Sequence, residues 1–188
     1  MVEAHTNNGG YDAEGVIWHQ HSNQLLKMIL EYFKKDIPVM DLGCGHNFYV
    51  SVMKYLGYEA WGTDLVDLGS RYFIPGDLTL PRPENSVDVE KINVLSLEVG
   101  EHIPAEKSKI YLDNLVSFGG GDIIMSWAVP GQRGVGHINC QTNEWVIEQM
   151  AERGYKLNEG RTSNLRESVK GCHCSWFRNT LMYFQPCV

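Results

Sequence analysis

The stretch Asp41-Leu42-Gly43-Cys44-Gly45-His46-Asn47 decides the fold class of this chain. An apolar run over 37–42 predicts a strand that leads into it, and the pattern over 48–56 predicts a helix that follows it. Glycines at such a junction permit a tight turn and a close approach of the backbone to a ligand, and a helix N-terminus offers unsatisfied N–H groups. The stretch therefore predicts a ligand-binding turn between a strand and a helix.

The alternation of strands and helices continues on both sides of this turn. Ser22 is a candidate N-cap for a helix whose apolar residues follow the helical period. Further strands are predicted over 58–63, 72–74, 92–97, 122–128, 155–157 and 176–184, and further helices over 105–116 and 144–153. This pattern favours an α/β fold with a doubly wound, mostly parallel seven-stranded sheet, helices on both faces and an antiparallel C-terminal hairpin at one edge.

Length and composition indicate one domain covering residues 1–188. Of the 188 residues, 43% are apolar and 21% are charged, which excludes a disordered chain and suits a domain of ordinary size. We expect an N-terminal flap and helix over 1–35 and a substrate-covering loop over 129–143. The formal net charge of −7 gives no basic footprint for a long polyanion, so nucleic acid is disfavoured as a partner.

The cysteines and the hydropathy pattern indicate the cellular compartment of the protein. The chain has 5 cysteines, an odd number at uneven spacing, which indicates reduced thiols rather than a disulfide framework. No run approaches the roughly 20 apolar residues that a membrane-spanning helix needs, and the first residues lack a signal-peptide core. We therefore expect a cytoplasmic protein without a membrane partner.

Three residues narrow the choice of ligand. Asp64 ends the second predicted strand, where a carboxylate accepts hydrogen bonds from ribose hydroxyls. A dinucleotide fingerprint wants Gly or Ala at the position that Phe48 occupies, and the Phe48 ring would crowd a pyrophosphate. Asp41 suits a cation such as an ammonium or a sulfonium better than a diphosphate. An NAD-type oxidoreductase therefore remains only as an alternative.

At this point the sequence resembles the class I S-adenosylmethionine-dependent methyltransferases. Asp41-x-Gly43-x-Gly45 is similar to their first motif, Asp64 to their ribose-binding acid, and Gly76-Asp77-Leu78 to the segment whose Asp binds adenine. The segment from Ser96 to Pro104, Ser-Leu-Glu-Val-Gly-Glu-His-Ile-Pro, is similar to the one after their fourth strand. The resemblance implies S-adenosylmethionine as cofactor, S-adenosylhomocysteine as product, and the cofactor-binding residues Asp41, Gly43, Cys44, Gly45, Asn47, Asp64, Leu65, Asp77, Leu78 and Leu97. For Asp77, an ordinary turn carboxylate is the alternative.

Candidate acceptor residues lie in loops that leave the carboxyl ends of predicted strands, where α/β sheets bind ligands. We hypothesise that His137 acts as a base or as an orienting group for the acceptor. Glu98 and His102 are further catalytic candidates. The candidate substrate contacts are Trp127, Gln132, Asn139, Trp18 and His21. The alternatives are a polar surface loop around His137, packing for the aromatic residues before the first helix, and helix capping for Glu101.

No metal is predicted. His137, Cys140, Cys172 and Cys174 would supply enough soft ligands for Zn²⁺ if their two segments met, but the paired Cys-x-x-Cys pattern is absent. The resulting prediction is a methyltransferase that acts on an oxygen or nitrogen of a small-molecule acceptor. The alternatives are an NAD-type oxidoreductase, a non-catalytic cofactor-binding subunit, and an RNA or protein acceptor.

Overall fold

The computed structural model describes residues 21–67, 69–82, 91–118 and 120–187. Residues 1–20, with Trp18 and most of the predicted flap, lie outside the described residues. Within the described ranges the helices are α1 (Asn23–Tyr32), α2 (Phe48–Tyr55), α3 (Ser108–Val116), α4 (Asn143–Ala151), α5 (Glu159–Ser168) and α6 (Phe177–Thr180). The strands are β1 (Val39–Leu42), β2 (Ala60–Thr63), β3 (Ile92–Ser96), β4 (Gly120–Ser126), β5 (Tyr155–Leu157) and β6 (Leu181–Pro186).

The strands form one mixed sheet in the order β2-β1-β3-β4-β6-β5. β1 pairs in parallel with β2 and β3, and β3 pairs in parallel with β4. β6 runs antiparallel to both of its neighbours, β4 and β5. Because the strand order reverses beside β1, a crevice is expected outside the carboxyl ends of β1 and β3, and the Asp41–Asn47 turn lies there.

The prediction of seven strands is wrong by one, because the segment over 72–74 forms a single bridge. Phe73 pairs in parallel with Gly62 of β2, and two backbone hydrogen bonds make this contact: Gly62 N to Tyr72 O at 2.9 Å and Ile74 N to Gly62 O at 2.9 Å. The Gly76 amide makes one further contact, donating to Asp64 O at 3.1 Å, one residue beyond the end of β2 at Thr63. The pairing at this edge is therefore limited, within the described residues, to these contacts and does not extend into a strand.

Helices cover both faces of the sheet, as predicted. One buried apolar cluster joins α1, α2 and α5 to the sheet, and the other joins α3 and α4. Neighbouring residues of β4 point into different clusters: Ile124 into the first, Ile123 and Met125 into the second. The α1 helix begins as predicted, with the Ser22 hydroxyl accepting a hydrogen bond from Leu25 N at 3.2 Å.

The predicted C-terminal hairpin is wrong in its connection, although the antiparallel pairing is present. α5 and α6 lie between β5 and β6, and the predicted strand over 176–184 begins only at Leu181. The α5 helix has a weak sequence signal because only Thr162 and Leu165 on it are buried. Its start is fixed by Asn158, whose side chain accepts a hydrogen bond from Arg161 N at 2.9 Å.

Candidate active site

The turn after β1 has the backbone conformation that its glycines predict. Gly43 and Gly45 have φ values of 79° and 51°. The amides of Gly43 and Cys44 both donate to the carbonyl of Thr63, at 2.8 and 3.1 Å. A Cβ on Gly43 would lie 2.3 Å from Cγ2 of Val99, so no larger residue fits there without rearrangement. The turn is thus fastened to the end of β2 on one side and to the segment after β3 on the other.

Asp64 and Gly45, both predicted to bind the cofactor, lie in direct contact. The Gly45 amide donates to Oδ2 of Asp64 at 2.9 Å, and the Leu65 amide donates to Oδ1 at 2.7 Å. The carboxylate therefore stands at the end of β2, beside the glycine turn. This is the relative placement that a nucleoside site at the switch point requires.

Asp41, on β1 just before the glycine turn, completes the corner that this turn forms with Asp64, and it is 3% exposed. Burial, reinforced by the negative charge of Asp64, raises the pKa of Asp41 to about 8. Two acids that repel each other favour a cationic ligand, because a positive charge between them relieves both the burial cost and the repulsion. The neighbouring Cys44 is half-buried, and burial raises the pKa of its thiol, so this thiol stays protonated at neutral pH.

Asn47 occupies the third glycine position of the motif and adopts the left-handed conformation expected there, with φ 58°. Its Nδ2 donates to Ser70 Oγ at 2.6 Å. Its Oδ1 is buried without a partner among the described residues and lies against Gly62, where a Cβ would be 2.2 Å from it. Asn47 therefore fastens the turn to the loop after β2.

Asp77 makes the contacts of an ordinary turn carboxylate, which was the alternative to adenine binding. Its Oδ1 accepts hydrogen bonds from the Thr79 amide at 2.8 Å and from the Thr79 hydroxyl at 2.6 Å. Leu78 and Leu97 are half-buried and pack against the two apolar clusters. The adenine contact predicted for Asp77 stays a prediction.

Glu98, the first candidate beyond β3, is held in an uncommon conformation. It has φ 53°, a value that non-glycine residues rarely adopt. Its amide donates to Ser126 Oγ at 2.8 Å, and its carboxylate accepts from Gln132 Nε2 at 2.6 Å and from Thr180 Oγ1 at 3.3 Å. Burial raises the pKa of Glu98, and these hydrogen bonds oppose the rise. The Gln132 contact places the 129–143 loop over the ends of β3 and β4.

Asn139 and Trp127 fasten this loop rather than face an open cavity. Asn139 is 4% exposed, and its Nδ2 donates to Ile103 O at 3.0 Å and to Ser108 Oγ at 2.8 Å. Trp127 is fully buried, and its indole N–H donates to Asn139 O at 2.6 Å. A Cβ on Gly100 would lie 2.3 Å from the Trp127 ring. These contacts give both side chains packing and anchoring roles, and their part as substrate contacts stays a prediction.

Glu101, His102 and His137 meet beyond the carboxyl end of β3, where the turn after β3 contacts the loop after β4. Glu101 is 0% exposed, and its carboxylate oxygens have no hydrogen-bond partner among the described residues. Its Oε1 lies 3.9 Å from Nε2 of His137, and the His102 and His137 rings are in edge contact with centroids 5.2 Å apart. Burial and the nearby Glu98 raise the pKa of Glu101 well above its ordinary value. Glu101 was not among the predicted site residues, because helix capping explains an acidic residue at this position, although its place just beyond β3 is the signal that would have suggested it.

The four residues considered for zinc do not come together as one ligand set. Within the described part of the chain, Glu101, His102 and His137 are the group whose ligand atoms all lie within 4.8 Å of one another. Cys140 Sγ is 4.0 Å from Nδ1 of His137. Cys172 and Cys174 belong to the first apolar cluster, where the Cys174 thiol donates to His21 O at 3.8 Å.

His21, predicted as a substrate contact, stacks on Phe48 with the ring centroids 3.6 Å apart. Phe48 is the first residue of α2, directly after the glycine turn. The two rings therefore place the start of the described chain beside this turn. The second aromatic candidate, Trp18, lies outside the described residues.

Solved structures share this fold, whereas no protein-family profile and no curated protein sequence matches the chain. A TehB-like SAM-dependent methyltransferase from Corynebacterium glutamicum has a TM-score of 0.65 at 16% identity, with 93% of each chain covered. Magnesium protoporphyrin IX methyltransferase from Synechocystis, solved with bound SAM, has a TM-score of 0.60 at 14% identity, over 91% of this chain and 88% of that one. The [4+2]-cyclase SpnF has a TM-score of 0.61 at 12% identity, over 91% of this chain and 84% of that one.

The chain therefore has the fold of the class I S-adenosylmethionine-dependent methyltransferases, as the sequence motifs implied. The similarity to a cyclase means that this fold alone does not fix the reaction. Within the described ranges, none of the helices combines the length and apolar character needed to cross a membrane.

Proposed function

We propose that this protein is an S-adenosylmethionine-dependent methyltransferase that transfers a methyl group to an oxygen or nitrogen of a small-molecule acceptor. The observation that carries the proposal is the pairing of Asp64 with the Gly45 amide beside the buried Asp41, at the switch point of a methyltransferase-like sheet. This corner offers a carboxylate at the end of β2 for ribose hydroxyls and a second carboxylate for a sulfonium charge. The similar methyltransferase from Synechocystis, solved with bound SAM, supports the choice of ligand.

The remaining cofactor contacts follow the motif. In this proposal, backbone groups of the turn contact the methionine portion of the cofactor, and Asp77 contacts the adenine amino group. Half-buried apolar side chains on either side line the adenosine. The full set of proposed contacts is Asp41, Gly43, Cys44, Gly45, Asn47, Asp64, Leu65, Asp77, Leu78 and Leu97.

Methyl transfer from a sulfonium is an in-line displacement on an activated carbon, so the protein mainly has to align the acceptor and exclude water. A lone pair of the acceptor forms the new bond to the methyl carbon. The C–S electron pair stays on sulfur and yields S-adenosylhomocysteine. We propose that Glu98, His102 and His137 present polar groups to the acceptor, while Gln132 holds the Glu98 carboxylate and closes the loop over it.

The N-terminal segment completes the proposed site. His21 stacks on Phe48 at the start of α2, next to the glycine turn, and this position supports a role beside the bound cofactor. Trp18 lies three residues before His21 in the sequence, and we retain both as proposed acceptor contacts. Together with the 129–143 loop, this segment would cover the acceptor within a single domain.

Several observations weigh against the alternatives. Phe48 follows the turn at the position where a dinucleotide site needs a small residue, which disfavours an NAD-type oxidoreductase. A net charge of −7 makes a long RNA a poor acceptor, and five unpaired cysteines agree with the proposed cytoplasmic location. A cofactor-binding subunit without activity has no structural observation in its favour, because the acceptor end carries an assembled polar cluster.

Calorimetric titration tests the ligand. S-adenosylmethionine and S-adenosylhomocysteine are expected to bind, and NAD is not. Asp64→Asn is expected to weaken binding at least about tenfold, since one lost charge-assisted hydrogen bond is worth roughly 1.5–3 kcal/mol. Asp67→Asn is the matched control, because Asp67 is an exposed turn carboxylate that accepts a hydrogen bond from the Gly69 amide at 2.7 Å. Tight binding of NAD without binding of S-adenosylmethionine would overturn the proposal.

Transfer of a labelled methyl group tests the reaction. The full chain is incubated with methyl-labelled S-adenosylmethionine and, separately, with a small-metabolite extract, total RNA and a protein extract. Label is expected in the small-metabolite fraction. Label confined to RNA or protein would overturn the small-molecule acceptor, and cofactor binding without transfer to any of the three fractions would favour the non-catalytic subunit.

A further inference from the structure

We propose that Glu101, His102 and His137 form a binding site for a divalent transition-metal ion at the acceptor end of the crevice. The three residues come from two segments, the turn after β3 and the loop after β4. One ligand atom from each lies within 4.8 Å of the others. The proposal rests on two further features of these side chains, the burial of the Glu101 carboxylate without a cation from the described ranges at hydrogen-bond distance and the orientation of both imidazoles.

The Glu101 carboxylate is buried beside a second acid, Glu98, and the described part of the chain places no cation at hydrogen-bond distance from it. The residue is 0% exposed, and neither carboxylate oxygen has a hydrogen-bond partner among the described residues. Burying a carboxylate without hydrogen bonds or an opposite charge is costly, and native structures seldom leave such a group unexplained. A bound cation would satisfy both oxygens and neutralise the charge. This observation distinguishes the cluster from an ordinary group of acidic and imidazole side chains.

Both histidines are oriented as metal ligands commonly are. Nδ1 of His102 lies 3.1 Å from the Gly136 carbonyl, and Nδ1 of His137 lies 3.2 Å from the Gln132 carbonyl. A carbonyl oxygen can only accept, so each Nδ1 carries the proton, and in the neutral ring Nε2 then carries the lone pair. Metal-bound histidines typically donate their other N–H to a carbonyl or carboxylate in this way. For His137, the lone pair belongs to the nitrogen that lies 3.9 Å from Glu101 Oε1.

The two segments are fastened together beside the cluster. The amides of Ile138 and Asn139 both donate to the carbonyl of Glu101 at 3.0 Å, so the residue after His137 is tied to the backbone of the carboxylate ligand. Tetrahedral bonds of about 2.0–2.1 Å place ligand atoms about 3.3 Å apart. The cluster would therefore close by about 1.5 Å or less around an ion, which is within the range of side-chain rotation.

The ligand set indicates the class of metal. Two imidazoles with one carboxylate suit Zn²⁺, Fe²⁺ or Mn²⁺, whereas Mg²⁺ and Ca²⁺ prefer oxygen ligands alone. Three protein ligands leave at least one coordination position for water or a substrate oxygen. Cys140 does not belong to the set, because its Sγ approaches the protonated Nδ1 of His137 and not Nε2.

The site lies next to the proposed cofactor turn. Val99, two residues before Glu101, packs directly on Gly43. If the proposed methyltransferase function is correct, the open position of the metal takes an acceptor hydroxyl and lowers its pKa. The hydroxyl proton leaves to water, the oxygen forms the bond to the methyl carbon, and the C–S electron pair stays on sulfur. This step rests on the proposed function, whereas metal binding itself does not.

Metal titration of the full chain tests the site. Protein stripped with a chelator is titrated with Zn²⁺, Mn²⁺ and Mg²⁺ by calorimetry and with Co²⁺ by visible absorption. One Zn²⁺ or Mn²⁺ per chain is expected, with weaker or no binding of Mg²⁺ and Co²⁺ bands of an oxygen–nitrogen site. Glu101→Gln and His137→Gln are each expected to weaken metal binding by at least about tenfold. Loss of a residue that only supports a metal ligand already costs about tenfold to a hundredfold in affinity.

Matched controls use similar residues outside the cluster. Glu106→Gln changes an exposed glutamate five positions further on, and His173→Gln changes an exposed histidine. Cys140→Ser removes the nearest thiol. All three are expected to keep the affinity of the wild-type protein. Wild-type affinity in Glu101→Gln, or a strong thiolate-to-Co²⁺ charge-transfer band that disappears in Cys140→Ser, would overturn the assignment.

Two measurements keep the outcomes separate. Thermal unfolding checks that each variant folds, and the half-buried His137 provides a second test if the Glu101 variant does not fold. S-adenosylmethionine binding is expected to be unchanged in Glu101→Gln. Metal binding without S-adenosylmethionine binding would overturn the proposed function and leave the metal site standing, while the reverse would overturn only the metal site.

Discussion

Gly43 and Val99 touch so closely that a Cβ on the glycine would lie 2.3 Å from Cγ2 of the valine. This contact joins the turn after β1 to the segment after β3, and therefore the proposed cofactor end to the proposed acceptor end. Burial of Val99, which is 9% exposed, depends on the missing side chain at residue 43. The relationship explains in physical terms why this position of the turn requires glycine.

Gly43→Ala is the first prediction. Alanine at φ 79° is strained and would also collide with Val99, so we expect a loss of about 2–4 kcal/mol in the free energy of unfolding and at least tenfold weaker S-adenosylmethionine binding. Denaturant unfolding and calorimetry measure the two effects. Gly171→Ala is the matched control, since Gly171 also has φ 79° but has open space around its Cα. Equal losses in the two variants would contradict the role of the Val99 contact.

The second prediction concerns the pH dependence of cofactor binding. The pKa of Asp41 is about 8 in the free protein, so the carboxyl is mostly protonated at pH 7 and becomes charged as the pH rises through 8. A sulfonium ligand binds the charged form better, so affinity for S-adenosylmethionine should rise by up to about tenfold per unit between pH 6 and 8 and level off above. Asp41→Asn should remove this rise, whereas the exposed Asp36→Asn should keep it. A pH-independent affinity in the wild-type protein would contradict the prediction.

The third prediction concerns the effect of the same Asp41 carboxyl on stability. The folded pKa of about 8 lies above the ordinary value of 3.8, so between these values the folded protein holds a proton that the unfolded chain has released. The free energy of unfolding should therefore decrease as the pH rises through this window, by up to about 1.4 kcal/mol per unit from this one group. Comparing denaturant unfolding of the wild-type protein and Asp41→Asn at pH 5 and pH 8 isolates the contribution. An identical pH dependence in both proteins would count against a buried, uncompensated Asp41.

Asn139→Ala is the fourth prediction. The amide group of this residue donates to Ile103 O and Ser108 Oγ in a buried setting, and its removal leaves those acceptors without a donor. We expect a loss of about 1–3 kcal/mol in the free energy of unfolding, together with S-adenosylmethionine affinity within about twofold of the wild-type value. Asn164→Ala, at an exposed position of α5, should change stability by less than about 0.5 kcal/mol. Weakened cofactor binding without a loss of stability would indicate a ligand contact instead of an anchor.

The contrast between predicted and observed features has a consistent physical basis. The strand, turn and helix around Gly43 and Gly45 were predictable because apolar periodicity and glycine placement act locally. The helix α5 was not, because it has few buried residues and is held by its Asn158 cap and by contacts with β6. Two features depend on how the loops after β3 and β4 meet. One is the anchoring role of Asn139, and the other is the placement of the Glu101 carboxylate beside two imidazoles. No local sequence pattern predicts how these two loops contact each other, so the arrangement of the proposed acceptor residues could not be predicted from the sequence.

Asn47 provides the last prediction, because it separates backbone conformation from side-chain contact. The residue has φ 58°, and its Nδ2 donates to Ser70 Oγ at 2.6 Å. Asn47→Gly and Asn47→Ala both remove this hydrogen bond, but only glycine adopts the left-handed conformation without a steric cost. We expect Asn47→Ala to be less stable than Asn47→Gly by about 1 kcal/mol in denaturant unfolding, and to bind S-adenosylmethionine more weakly by a similar free energy. Ser70→Ala, which removes the hydrogen bond alone, should resemble Asn47→Gly. Equal behaviour of the glycine and alanine variants would mean that the left-handed turn is not what positions the amides of the site.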